Sequence, residues 1–417
     1  MSQSEAPRPD GYRPGAFPPP DGPGWDDVDW LDVDAPADAT ASPRRPWPRW
    51  LTFAVLGAVV AALLTVMNVQ RRPPSAMRPT PITSAFSVPA PPQTAVAVPA
   101  RPAGPAVAVT RVGHPLLATS AGWELFGRGD QVLVRIQPAA GRITRTTLPS
   151  LLSSGPVFLV AGADRVLIRP LDRVPGYVVP DGKPARQLPA VLGEEGPIFP
   201  GPTADQIWVR PSDDRQPVLT LATLAGKRLP GFIPVPSESS PLEATGDGAG
   251  YLLFPGVGGV YDARPGSLHR ISTGSLLAVG PTGWLALECD DQHRCQPVLI
   301  RRDGVRRTLH TLVPPDGTSG VISPNGETAA MTTPGPNGTV GLYLLDLGSG
   351  RRQVLDVSVN QISDYGAVAF SPDGKWLFAV AADGSLAVID PRTGSVSSLD
   401  AGLPPLSQLV IRPAAGR

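Results

Sequence analysis

Ala367-Val368-Ala369-Phe370, Ser371-Pro372-Asp373-Gly374, Lys375-Trp376-Leu377-Phe378-Ala379-Val380 is the stretch whose chemistry decides the fold. Its two apolar runs have the length of short strands, and the four residues between them are turn formers. Pro presets φ at the first turn position, and Gly accepts the φ > 0 that completes the reversal. Ala382-Asp383-Gly384 then leads to Ser385–Asp390, and Pro391-Arg392-Thr393-Gly394 leads to Ser395–Leu399. Four strands separated by three tight reversals make an antiparallel meander over residues 367–399.

The plan recurs toward the N-terminus. Residues 321–355 carry Ser323-Pro324-Asn325-Gly326 as their first turn, and their later strand Gly341–Asp346 matches Ser385–Asp390. Residues 277–309 place Gly280-Pro281-Thr282-Gly283 before Trp284-Leu285-Ala286-Leu287. More degenerate units follow at about 242–272, 198–230, 157–189 and 115–149, with Ile207–Val209, Arg165–Ile168 and Gln131–Ile136 as their clearest strands. Repeats of roughly 40 residues suit an all-β propeller, in which each thin blade buries its faces against its neighbours. Seven four-stranded blades are expected, against six, eight, or a pair of β-sandwiches. Leu406–Arg412 is one strand left over, placed to complete the first blade and close both sheet edges.

The Ser371-Pro372-Asp373-Gly374-Lys375 turn followed by Trp376-Leu377 resembles the repeats of bacterial WD40-like and TolB-like propeller proteins. With a Pro-rich tail and a signal anchor, the chain is similar to membrane-anchored propellers of GC-rich bacteria. The motif is specific to the last two units, and the Trp-Asp and Gly-His signatures of true WD40 repeats do not stand at the blade ends. The resemblance implies a fold and a binding surface, and no particular ligand.

Ahead of the repeats, Leu51 to Val69 (LTFAVLGAVVAALLTVMNV) contain no charge and no polar stripe. About 20 such residues span a bilayer's hydrocarbon core, and Trp47, Trp50, Arg49 and Arg71 stand at its ends as interfacial residues do. The expectation is one transmembrane helix within 47–70, uncleaved because no small-residue cleavage site follows it. Arg44, Arg45 and Arg49 before it balance Arg71, Arg72 and Arg78 after it, so flanking charge does not orient it. Residues 1–46 read as a disordered, cytoplasmic Pro/Asp-rich tail, and 71–105 as an extended Pro-rich linker. Residues 106–417 are then the propeller, placed outside the cytoplasm. Within the tail, Trp25, Asp26, Asp27, Asp29, Trp30 and Asp32 alternate acidic and apolar side chains, the composition of a short motif that folds on a partner. A solvated acidic tail is the plain alternative.

The only cysteines, Cys289 and Cys295, flank a polar five-residue tip between two strands. Opposed residues beside such a tip come within disulfide reach. A disulfide is expected, with free thiols, or a metal held with His293 and Asp290 or Asp291, as alternatives. Disulfides persist outside the cytoplasm, so the pair also supports an exported propeller.

No catalytic constellation emerges. His114, His269, His293 and His310 are scattered, and neither G-x-S-x-G nor H-E-x-x-H occurs. Gly256-Val257-Gly258-Gly259 fits a hairpin turn better than a phosphate cradle. Arg128-Gly129-Asp130 and Asn337-Gly338-Thr339 both carry turn chemistry that explains them without an adhesion or glycosylation role. Zero formal net charge excludes a nucleic-acid field. Arg301-Arg302, Arg306-Arg307 and Arg351-Arg352 are placed either to form a basic rim or to be solvated edge charges. No cofactor is implied. The expected function is non-catalytic binding of a protein or envelope polymer by a membrane-tethered propeller. A channel-site hydrolase or lactonase, or transmembrane signalling through Trp25–Asp34, are the alternatives.

Overall fold

The computed structural model describes residues from 106 to 413, apart from short inter-strand segments of which 150–156, 211–217 and 312–318 are the longest. The chain divides into two compact units, residues 1–96 and 97–417, and the described residues belong to the second. The motif at Trp25–Asp34, the apolar segment Leu51–Val69 and Asn337-Gly338-Thr339 lie outside the described residues. Among the described residues, no helix is long and apolar enough to cross a membrane.

The fold is an all-β propeller of successive meanders. After β1 (Val107–Arg111), the first runs β2 (Glu124–Arg128), β3 (Val132–Gln137) and β4 (Arg142–Thr147). The second is β5 (Val157–Ala161), β6 (Arg165–Pro170), β7 (Tyr177–Pro180) and β8 (Arg186–Gln187). Next come β9 (Ile198–Pro200), β10 (Gln206–Val209), β11 (Val218–Thr223) and β12 (Arg228–Pro234). They are followed by β13 (Thr245–Gly246), β14 (Leu252–Gly256), β15 (Gly259–Arg264) and β16 (Ser267–Ser272). β17 (Ser275–Gly280), β18 (Gly283–Cys289), β19 (Cys295–Arg301) and β20 (Arg306–Thr308) precede β21 (Gly320–Ile322), β22 (Thr328–Pro334), β23 (Val340–Asp346) and β24 (Arg352–Val359). The last meander is β25 (Val368–Phe370), β26 (Leu377–Val380), β27 (Leu386–Ile389) and β28 (Val396–Ser398), before β29 (Gln408–Arg412).

Within each meander the pairing is antiparallel between consecutive strands, and the first strands pack round a common axis. β5 touches β9, β9 touches β13, β17 touches β21, and β21 touches β25, while β29 lies between β25 and β5. The expected count of seven separate four-stranded blades needs correction in its sheets. The described strands form six sheets, four with four strands, one with five and one with eight. Two features cause this. β29 adds to the inner edge of β2 and β1 to the outer edge of β4, giving five strands in the order β1-β4-β3-β2-β29. A single parallel bridge, Val279 to Val321, joins β17 to β21 and fuses two neighbouring meanders into eight.

The core lies between facing sheets. Trp123 meets Phe378 edge-on with ring centroids 5.5 Å apart, and Phe158 meets Phe199 at 5.5 Å. Every residue of β26 and β27 is buried, because both faces of these strands are covered. The Ser-Pro-Asx-Gly turns explain why the last two repeats look most regular. Buried Ser371 donates from Oγ to Asp373 (2.6 Å) and accepts from the Trp376 amide (3.0 Å). Ser323 does the same with Asn325 (2.6 Å) and the Thr328 amide (3.0 Å). Gly374 and Gly326 hold φ of 68° and 73°, which only glycine adopts without strain.

The β18–β19 tip is closed as expected. Cys289 and Cys295 are directly opposed in register and form a disulfide, so neither sulfur is a thiolate for a metal. Asp290 caps the tip by accepting the amides of Gln292 (2.9 Å) and Arg294 (3.0 Å). Closing so short a loop contributes about 2 kcal/mol in the chain-entropy model. The Cys289→Ser/Cys295→Ser variant is therefore expected to fold and to lose only a few degrees of Tm, measured by thermal denaturation. A collapse of the whole domain would show that the tip holds more than itself.

Candidate functional site

The axial ends of the first strands enclose a cavity of about 1170 Å³. Leu277, Val279, Val321, Val368, Phe370 and Ile411 supply its apolar walls, with Ser275, Thr245, Ser319 and Thr332 as polar points. None of its described lining residues is Asp, Glu, His, Lys, Arg or Cys. The reason lies in the strand chemistry. The first strand of each meander packs against two others near the axis, so small and β-branched side chains fill it. Gly280 shows the closeness: a Cβ there would sit 2.6 Å from the Ile322 Cβ.

A second depression, about 680 Å³, lies among the turns of the β17–β20, β21–β24 and β25–β28 meanders. It is polar. Arg301, Arg307, Arg351, Arg392 and Lys375 face it, with Glu327, Asp346 and Asp373. The carboxylates are already engaged locally. Asp346 accepts the Ser349 amide at 2.6 Å, which holds its carboxyl below the usual range. Glu327 accepts from Asn325 (2.7 Å), and Asp373 accepts from Ser371 (2.6 Å).

The paired arginines proposed as a rim divide by environment. Arg302 is drawn inward: it donates to the Pro281 carbonyl (2.6 Å), pairs with Asp247 (2.7 Å) and lies 5.1 Å over the Trp284 ring. Arg306 pairs with Glu288 (2.5 Å) and donates to the Ile271 carbonyl (2.7 Å). Burial alone would push the Glu288 carboxyl up, but hydrogen bonds from Arg306 and Ser272 outweigh it and hold the group low. Arg352 stacks 4.2 Å over Tyr343. Arg307 donates to the Leu347 carbonyl beside the groove, and Arg301 and Arg351 remain for it.

Sequence reasoning missed the ion pairs that lock the first sheet and tie it to the second. Glu124 on β2 accepts from Arg135 on β3 and, at 2.9 Å, from Arg412 on β29. Arg412 also reaches Asp181 between β7 and β8 (2.7 Å) and lies 4.6 Å over Phe126. No local motif signals contacts so distant in sequence. Other candidates disperse. His114, His269, His293 and His310 are all exposed, on separate segments. Arg128 of the Arg-Gly-Asp tripeptide is fully buried, donating to Gln408 at 2.6 Å, so the tripeptide is not displayed as a unit. Among the described residues no group of three or more His, Cys, Asp or Glu is placed to hold a metal ion.

The depressed carboxylates predict an acid limb of stability. Asp164, held low first by its hydrogen bond from Arg165, and Asp346 both have folded pKa values below their unfolded ones. Their stabilisation is present above the unfolded value and is lost as pH falls through the folded one. Unfolding free energy is thus expected to decline below about pH 4 and to be nearly flat from these groups between pH 5 and 7. Denaturant midpoints across that range check this; a decline beginning above pH 5 would assign acid sensitivity to other groups.

No protein-family model matches the chain, and no curated protein sequence does. Several solved structures are similar to it in strand arrangement. A functionally unknown protein from Desulfotomaculum acetoxidans is 12% identical with a TM-score of 0.42, over 69% of this chain and 98% of that one. The periplasmic gluconolactonase PpgL of Pseudomonas aeruginosa is 18% identical (TM-score 0.40, 69% and 98% covered). TolB from Acinetobacter baumannii is 13% identical (TM-score 0.38, 70% and 83% covered). The propeller assignment here rests on the strand pairing itself.

Proposed function

We propose that this chain is a non-catalytic binding module, a propeller that receives a protein ligand at its axial cavity. The observation that carries the reading is the wall of that cavity. Acyl or lactone hydrolysis needs a nucleophile beside a base, or a metal with its donors. The described wall offers apolar side chains, hydroxyls and backbone, a surface suited to burying an apolar segment of a partner. We further propose that the eight-stranded sheet acts as two neighbouring blades, so that the ring has sevenfold character.

The same proposal places the module at a membrane, anchored by Leu51–Val69 with the propeller outside the cytoplasm. Support comes from the uncharged apolar segment and from the Cys289–Cys295 disulfide, which a reducing cytosol would not preserve. Externally added protease should then degrade the propeller in cells whose outer barriers are opened but whose inner membrane is intact. A protected propeller would contradict the placement.

The catalytic question is tested by incubating the full chain with a panel of sugar lactones and activated esters. No turnover above the background rate is expected. Turnover that disappears in Val321→Arg, which would put a charge into the cavity wall, would replace the binding reading with a hydrolase.

A further inference from the structure

The turn groove is the feature that the binding reading leaves unused. Its position is a consequence of the repeat: it joins the β19 end, the β23–β24 turn, and the β25–β26 and β27–β28 turns on one face of three successive meanders. Five cations, Arg301, Arg307, Arg351, Arg392 and Lys375, face three carboxylates there. Those carboxylates accept hydrogen bonds from neighbouring turn groups. Among the described residues, no carboxylate lies within ion-pair distance of Arg301, Arg351 or Lys375, and the exposed Arg392 reaches only the half-buried Asp390 at 3.7 Å. This excess stands on a chain of zero formal net charge, so it is local and not a share of a general basic field.

We infer that this groove binds a polyanionic chain carrying phosphate or carboxylate groups, at a site separate from the axial cavity. Guanidinium forks spread over three meanders suit repeated oxyanions along a polymer better than one small ion. Asn325 and Gln353 line the groove between the cations, each donating to a protein acceptor, Glu327 and the Thr393 carbonyl. Nucleic acid is the less fitting polyanion. None of the described groove residues is aromatic, so the stacking platform that single-stranded nucleic acid uses is missing from the lining.

The test measures binding of the full chain to three probes at low and moderate salt: inorganic polyphosphate, polygalacturonate and single-stranded oligonucleotide. The variants are Arg301→Ala/Arg351→Ala/Arg392→Ala and a charge-matched control, Lys183→Ala/Arg186→Ala/Arg270→Ala, whose residues are exposed on other meanders. Polyphosphate or polygalacturonate is expected to bind, tenfold or more weakly to the groove variant and within twofold of wild type to the control. The groove variant should also show a shallower salt dependence, since fewer counterions are released. Whichever probe binds distinguishes phosphate from carboxylate. Equal losses in both variants, no binding of either polymer, or tighter binding of the oligonucleotide would overturn the inference. The cavity reading does not depend on these outcomes, because every substituted residue lies outside the cavity wall.

Discussion

Removing residues 406–417 is expected to abolish cooperative folding of the propeller. β29 supplies the inner strand of the first sheet, pairing with β2 from Glu124–Arg412 to Arg128–Gln408. Without it, one edge of that sheet opens and the ring loses its closure between β25 and β5. Leu406 and Leu409 are each 3% exposed, and Leu406 is seated so closely on β2 that a Cβ on Gly127 would lie 2.7 Å from it. Burying such leucines contributes about 2–3 kcal/mol each. Truncation also takes Gln408 from the buried Arg128 guanidinium, and takes Arg412 from Glu124 and Asp181, which keep Arg135. Each hydrogen bond lost to a charged group costs about 1.5–3 kcal/mol. The sum rivals the roughly 5–15 kcal/mol that holds a typical domain. Thermal denaturation and size-exclusion chromatography of the truncated chain should show no cooperative transition and an expanded or aggregated species. A truncated chain melting within a few degrees of wild type would contradict closure by β29.

The second large effect belongs to Asp247. Its side chain is fully buried in the turn between β13 and β14, where it accepts the amides of Ala249 (2.7 Å) and Tyr251 (2.8 Å). Its other oxygen takes Arg302 from the neighbouring meander at 2.7 Å, and Arg302 also donates to the Asp247 carbonyl. One carboxylate thus shapes its own turn and ties two meanders together. Asp247→Ala removes the acceptor for three donors and is expected to cost about 3–5 kcal/mol. Arg302→Ala should cost toward the lower end, because its side chain is 21% exposed. In a double-mutant cycle the two losses should fall well short of additive. Chemical denaturation of the four proteins measures this; additive losses would mean that the pair does not act as a unit.

Asp247 also shows what was legible in the sequence. The last two repeats announce themselves because Ser, Pro, Asx and Gly occupy one turn in fixed order, each with its own hydrogen-bonding or φ role. In the β13–β16 repeat, Gly246-Asp247-Gly248 makes the corresponding reversal with Asp in place of the buried Ser. The reversal is kept, one residue shorter, and the motif is not, which is why the early repeats read as degenerate. The C-terminal strand was visible as an unpaired β run, and its role followed from the edge it could cover. β1 was not, since Val107–Arg111 continue a Pro- and Ala-rich segment and pair only with β4. The charge locks were invisible for another reason. Arg302 and Asp247 stand 55 residues apart, and Arg412 and Glu124 stand 288 apart. Nothing local distinguishes an arginine that turns inward, like Arg302, from its neighbour Arg301 on the groove. Cavity and groove required the ring to be assembled before either existed.

The most direct test of the binding account is site-specific photo-crosslinking of the full chain in the cells that produce it. One photoreactive residue replaces Ser275, exposed at the cavity wall, and another replaces Val354, 76% exposed on the outer strand β24. The account predicts a discrete protein adduct from position 275, lost in Val321→Arg and not formed from position 354. No adduct from the cavity wall, or the same adduct from both positions, would contradict it.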